Sequence, residues 1–306
     1  LMQHTLKAPF TLEGKGLHTG LHLSISFLPA PANYGYKIQR MDLEGQPFIL
    51  PLAENVFDTS RGTVVGTPEC RVSTIEHAMA ALVALGVDNC LMQVNGPEFP
   101  ILDGSSILYV EQIQKVGLEN QGVPRNYLEI NEPFEYYDEI SGSCLRVQPA
   151  DRFAVDSTIE FPDSQFVQRQ SATLEHMSDF PEEIASARTF VFVREIEALL
   201  NMGLIKGGDL SNALVIYERL VPQERLDKLA DTLGVEHRDA NHLGYLQERP
   251  VKWSNEPARH KLLDIIGDMA LIGRPLKGRI IAIRPGHDAN NKFARMVRAK
   301  FKHLFS

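Results

Sequence analysis

Between Leu21 and Leu28, apolar residues alternate with His22, Ser24 and Ser26, and this period of two predicts a half-buried strand. Pro29 to Gly35 (PAPANYG) reads as a loop from its Pro, Asn and Gly content. Tyr36–Met41 and Pro47–Leu50 are short strands, so the first 70 residues are strand-rich. Ser73–Leu85 is the first strong helix. Ser73 and Glu76 have capping-box spacing, small and apolar residues fill the body, and Gly86 stops it. A strand over Asn89–Val94 and a helix over Ser106–Val116 follow. Residues 117–126 are polar with Gly and Pro, and form the best linker in the chain. Strands then restart near Leu128–Ile130, Cys144–Val147 and Phe153–Ile159. Helices are predicted at Val193–Asn201, Gln223–Leu233 and Arg259–Ile272, then a strand at Arg279–Ile283 and a helix at Asn291–Phe301. Each half runs from strands to helices, an α+β pattern, with no repeat clean enough to prove duplication.

The length of 306 residues suggests two domains. A composition of 43% hydrophobic and 23% charged residues is ordinary for a globular chain and argues against disorder or a coiled-coil rod. The net charge of −8 argues against a general nucleic-acid binder but leaves room for a local basic pocket. Cys70, Cys90 and Cys144 are too few and too widely spaced for a disulfide framework or a cysteine-based zinc module. They fit a reducing, cytoplasmic setting. The longest clean apolar run, Ala78 to Val87, is about half of what a membrane-spanning helix needs. The start of the chain shows no charged-then-apolar leader, which argues against secretion.

The chemistry concentrates in His260-Lys261-Leu262-Leu263-Asp264-Ile265-Ile266-Gly267-Asp268. On a helix, His260, Asp264 and Asp268 stack on one face, bordered by Lys261 and Gly267. The remaining positions are apolar, so the helix is mostly buried with one polar seam, and buried carboxylates require a neutralising partner. A divalent metal held by His260 and Asp264 is one such partner; an ion-pair network is the other. Glu76-His77 offers a third ligand, although Glu76 also reads as a cap and His77 as a hydrogen-bonded core residue. His287 lies in a predicted loop, Pro285–Asn291, where Asp268 could orient it, or it is an ordinary turn residue. No G-x-S-x-G, Walker A or H-E-x-x-H motif is present. Gly14–Gly20 (GKGLHTG) reads as a turn between strands, and Pro100–Ser105 (PILDGS) as a turn into a helix.

Together these segments, with Ser73–Asn89, Ala185–Phe190 (ASARTF), Lys206–Val215 (KGGDLSNALV), His260–Gly273 and Gly286–Asn291, resemble the UDP-3-O-acyl-N-acetylglucosamine deacetylases of lipid A synthesis. They run in order along nearly the whole chain. The resemblance implies two similar α+β domains, about 1–122 and 123–306, whose helices face each other across the site. It implies one zinc ion held by His77, His260 and Asp264, with Glu76, His287, Asp268 and Thr189 as catalytic residues. Phe190 and Lys261 match contacts to the sugar and diphosphate. The apolar stretch around Val191–Leu210 matches an acyl-chain passage, which extends the substrate-binding set to Ile196, Leu199, Ile205, Gly208, Ala213 and Val215. The implied partner is the UDP-linked acylated sugar, acted on by a monomer without nucleic acid or a membrane span. Residues 217–257 look longer than in minimal relatives and resemble those of proteins fused to a hydroxyacyl-carrier-protein dehydratase, so this chain is expected to be the deacetylase half of such a fusion. Alternatives are a zinc amidohydrolase for another N-acyl sugar and a non-catalytic nucleotide-sugar binding module. The ligand set would also accept ferrous iron.

Overall fold

The computed structural model describes residues 1–247 and 250–306. Two sheets organise the chain. The first has the order Phe10–Lys15, His22–Pro29, Cys90–Val94, Tyr36–Arg40, Phe48–Ile49. The second has the order Phe134–Tyr137, Cys144–Gln148, Leu276–Ile283, Phe153–Glu160, Arg169–Leu174, with Leu128–Glu129 added beside Leu276. In both, only the third pairing along this order is parallel (Ile38 beside Met92 in the first sheet, Val155 beside Ile280 in the second). The two halves therefore share one strand order and one set of directions, a likeness that the sequence did not display.

The period of two explains which face each sheet buries. Leu23, Ile25 and Phe27 point inward from His22–Pro29, and Leu276, Ile280 and Ala282 do so from Leu276–Ile283. Helices cover those faces: α1 (Glu76–Ala84) and α2 (Ile107–Val116) in the first half, α6 (Glu256–Met269) and α7 (His287–Lys300) in the second. One continuous apolar core joins both sheets and all four helices. Helices α1 and α6 pack on each other and are buried along almost their whole length. They come too close for a side chain at Gly267, where a Cβ would stand 2.1 Å from the carbonyl oxygen of Glu76. Only glycine fits there, which explains its place between Asp264 and Asp268.

Between Arg169–Leu174 and α6 lies a long insertion. It contains a one-turn helix α3 (Phe180–Glu183), then α4 (Val193–Asn201) and α5 (Gln223–Leu233) with a small sheet of Phe190–Phe192, Leu214–Tyr217 and Gly244–Tyr245. Both longer helices have the bounds the periodicity predicts. Val193, Ile196, Val215, Tyr217 and Leu226 form a second core of its own.

Three expectations need correction. The predicted linker is not a free connection: Leu118–Pro124 is a strand antiparallel to Met2–Leu6, and the Gln121 side chain bonds Ala30 and Asn89. Its polar residues reflect a surface strand pair, a distant pairing that local composition cannot reveal. Helix α1 begins at Glu76 rather than Ser73, because Thr74 adopts a φ of 58° and no side chain caps the helix. The Ser73/Glu76 capping box is thus absent. His287 is the first residue of α7 and not part of a loop. No helix among the described residues is long and apolar enough to cross a membrane.

Candidate metal centre and apolar cavity

His77, in the first turn of α1, faces His260 and Asp264 one turn apart on α6. His260 Nε2 lies 3.3 Å and His77 Nε2 3.7 Å from the same oxygen, Asp264 Oδ1. The imidazole centroids are 4.9 Å apart at 80°. One ligand atom from each residue lies within 4.8 Å of the others, and all three residues are buried.

The electrostatics suit a cation. Burial, then the neighbouring His260, push His77 down to about 3, so its ring is neutral with a free lone pair. His260 bonds the Ala187 carbonyl through Nδ1 at 2.9 Å, which turns Nε2 toward Asp264. Burial opposes ionisation of Asp264, but His260, His287 and Lys261 outweigh it and hold the carboxyl well below its usual range. Yet Asp264 Oδ1 is fully buried with no hydrogen-bond donor. A buried anionic oxygen without a donor, facing two imidazole nitrogens, fits a divalent metal. This favours the metal over the ion-pair network, since the nearest imidazole nitrogens stand 3.3 and 3.7 Å away and leave that oxygen without hydrogen-bond geometry.

A second cluster adjoins the first. His287 Nδ1 is 2.8 Å from Asp268 Oδ2, and its Nε2 is 3.5 Å from Glu76 Oε1 and 3.8 Å from Asp264 Oδ2. Burial works against the imidazolium, but Asp268, then Glu76, raise His287 to about 10 and keep it protonated. Burial is the main cause that lifts Glu76 to about 7; His287 opposes it, and Asp264 and Asp268 add to it. Glu76 is therefore poised to take up or release a proton near neutrality.

The clusters open into a cavity of about 290 Å³. Thr189, Phe190 and Lys261 line it beside His260, Asp264 and His287, with the Lys261 ammonium 5.6 Å from the centre of the Phe190 ring. Ile196, Leu199, Ile205, Gly208, Ala213 and Val215 also line it. Every site residue predicted from sequence lies at the clusters or on this wall. The residues that local reasoning missed are those whose role needs a distant partner. Leu17, His18 and Arg61 from the first half, and Leu233 and Val235 at the end of α5, complete the wall. The buried Glu98 carboxylate accepts bonds from His18 N (2.9 Å), Thr19 N (3.3 Å) and Thr19 Oγ1 (2.8 Å). The Gly14–Gly20 turn so anchored holds the insertion through Gly207 N to Leu17 O (3.0 Å), a contact with no room for a Cβ on Gly207. The PILDGS turn is likewise more than a lead into a helix: Gly104 O accepts Thr189 N, and the next residue, Ser106, bonds the His77 carbonyl through Oγ.

Two α+β halves of one strand order, with buried His77, His260 and Asp264 placed to fit a metal between facing helices beside a largely apolar cavity, define a class of protein by fold and candidate site. The family model described as LpxC, UDP-3-O-acyl N-acetylglycosamine deacetylase, matches residues 3–238 and 239–299, and the chain belongs to that family. It is 58% identical over 302 residues to a protein of Bacteroides thetaiotaomicron named bifunctional enzyme LpxC/FabZ, an alignment that takes in 99% of this chain and 65% of that protein. A protein of Porphyromonas gingivalis with the same name is 58% identical over 300 residues, 98% of this chain and 65% of its own length. A UDP-3-O-acyl-N-acetylglucosamine deacetylase of Anaeromyxobacter sp. is 38% identical over 300 residues, 97% of this chain and 88% of its own. The chain thus spans just under two thirds of the length of the first two relatives.

Proposed function

We propose that the chain is a zinc-dependent hydrolase that removes the N-acetyl group from UDP-3-O-acyl-N-acetylglucosamine, giving acetate and the free amine, the committed step of lipid A synthesis. The observation that carries this reading is the orphaned Asp264 Oδ1 between two imidazoles, with a protonated His287 beside it and an apolar cavity leading away.

His77, His260 and Asp264 would hold the zinc, which when bound supplies Lewis acidity towards the amide carbonyl and an acidified water. Glu76, beside His77 and near neutrality in its proton affinity, accepts the proton released by the attacking water. His287, held cationic by Asp268, gives a proton to the departing amine nitrogen, which is otherwise a poor leaving group. Thr189 lies on the same wall, where its hydroxyl can donate to the developing oxyanion. Lys261 supplies positive charge for the diphosphate, and the apolar wall from Ile196 to Val215 receives the acyl chain. Three free cysteines support a reducing cytoplasmic setting.

The test is acetate release from the acylated UDP-sugar with and without a chelator, alongside His260→Ala. Turnover should stop on chelation, and His260→Ala should lose its metal and at least ~10³-fold in rate. Full turnover in chelator, or a His260→Ala protein with full metal and full rate, would overturn the reading. A UDP-sugar without the acyl chain hydrolysed equally well would favour a different N-acyl sugar. Binding without any turnover would leave a non-catalytic module.

A further inference from the structure

One buried residue of the first half touches all three groups of the second cluster. Thr63 follows Gly62 on the loop between strands Val56–Asp58 and Val64–Gly66, and is 1% exposed. Its hydroxyl donates to Asp268 Oδ1 at 2.6 Å and lies 3.3 Å from His287 Nδ1. Its backbone N–H donates to Glu76 Oε2 at 3.3 Å. Gly62 has a φ of 138°, and a Cβ there would stand 3.0 Å from Glu76 Oε1, so the loop approaches as closely as a glycine permits.

These bonds set two carboxylate planes. Asp268 Oδ2 accepts from His287 Nδ1 and from Asn290 Nδ2 at 3.0 Å, while Thr63 occupies Oδ1. With both oxygens engaged, the carboxylate cannot turn about its Cβ–Cγ bond, and the imidazole keeps one orientation. Glu76 has Oε2 on the Thr63 N–H, which leaves Oε1 facing His287 Nε2. We propose that Thr63 is a positioning residue that fixes Glu76 and the His287–Asp268 pair relative to each other, and so couples the proton acceptor of one half to the proton donor of the other. Thr63 touches no reacting atom; it acts through the geometry of its three partners. This rests on the hydrolase reading above.

The experiment compares Thr63→Val, which keeps the shape and loses the hydroxyl, with Thr63→Ser, which keeps the donor, in the full zinc-loaded chain. Thr63→Val should lower kcat by about 10–100-fold, with KM and zinc content within twofold of the parent. Thr63→Ser should restore kcat to within about threefold. A Thr63→Val protein with unchanged kcat, or one whose loss appears in KM or metal content and is not restored by serine, overturns the proposal. Where Thr63→Val does not fold, Thr63→Ala is read by the same kcat and KM criteria. Independently of turnover, the His287 Nδ1 proton, assigned by its absence in His287→Ala, should exchange with solvent at least about tenfold faster in Thr63→Val. Equal exchange rates count against the proposal even if the parent releases no acetate, an outcome that would instead sink the hydrolase reading.

Discussion

Each half interrupts the common strand order at the same point, between its last edge strand and the helix that faces the other half. In the first half the interruption runs from Ile49 to Glu76 and forms a meander of Val56–Asp58, Val64–Gly66 and Arg71–Val72. In the second it runs from Leu174 to Glu256 and holds two amphipathic helices, a small sheet and its own apolar core. The small insertion has no such core. Val56, Val65 and Val72 pack into the main one, and its loop offers the site a hydroxyl and a backbone donor. The large insertion offers the site mainly apolar wall. The difference is physical. Orienting buried carboxylates requires donors held to fractions of an ångström by a core they share with the acceptors. Receiving the acyl chain of the proposed substrate would require only apolar surface, which a separately packed unit can supply and vary.

The largest effect is expected where both insertions depend on the frame. Gly267→Ala forces a Cβ against the Glu76 carbonyl, and should destabilise the protein by about 2–3 kcal/mol in denaturant melts. It should lower kcat by the same factor for short and long acyl substrates, because it displaces Glu76 and Asp268 together. A difference between chain lengths would show that the passage is not separable from the frame.

The next effect concerns the strap that ties the large insertion to α6. Glu256 is fully buried and bonds the Arg188 guanidinium (2.8 and 3.1 Å) and backbone N–H (3.0 Å). Burial pushes its pKa up, but the bonds from Arg188 and from Lys252 N outweigh burial and leave it below the usual 4.5. A lowered folded-state pKa contributes stability that is complete above the unfolded value and lost as pH falls through the folded one. Glu256→Gln should therefore cost about 2 kcal/mol near pH 7, and the gap from the parent should narrow as pH drops below 4.5. A gap independent of pH would assign the strap's contribution to shape rather than charge.

The smallest effect tests the large insertion alone. Val215→Phe narrows the wall on the strand Leu214–Tyr217, and should raise KM for a long acyl substrate by about tenfold relative to a short one, with little change in metal content. Equal effects on both chain lengths would remove Val215 from the passage.

Much of the site was legible because its chemistry is written in helical spacing. His260, Asp264 and Asp268 need only a period of 3.6 to share a face, and α4 and α5 follow from amphipathic patterns whose bounds the structure repeats. The resemblance supplied His77, Glu76 and His287, for which local reasoning favoured structural roles. Glu76 shows why: its spacing from Ser73 satisfies a capping rule, yet its carboxylate points into the site, and only the packing of α1 on α6 decides between the two uses.

The sequence by itself determined the α+β class, the places of most of the helices and of fewer than half of the strands, one polar seam on a buried helix and an apolar stretch beside it. These depend on neighbours within a few turns of chain, where side-chain periodicity is sufficient. The tertiary structure alone decided the shared strand order of the halves, the strand at Leu118–Pro124, the meeting of His77 with His260, and the reach of Thr63 to Asp268, 205 residues away. Each is a pairing between distant segments, set by which surfaces must bury each other and which buried charges must find a donor, and neither requirement leaves a local periodic signal.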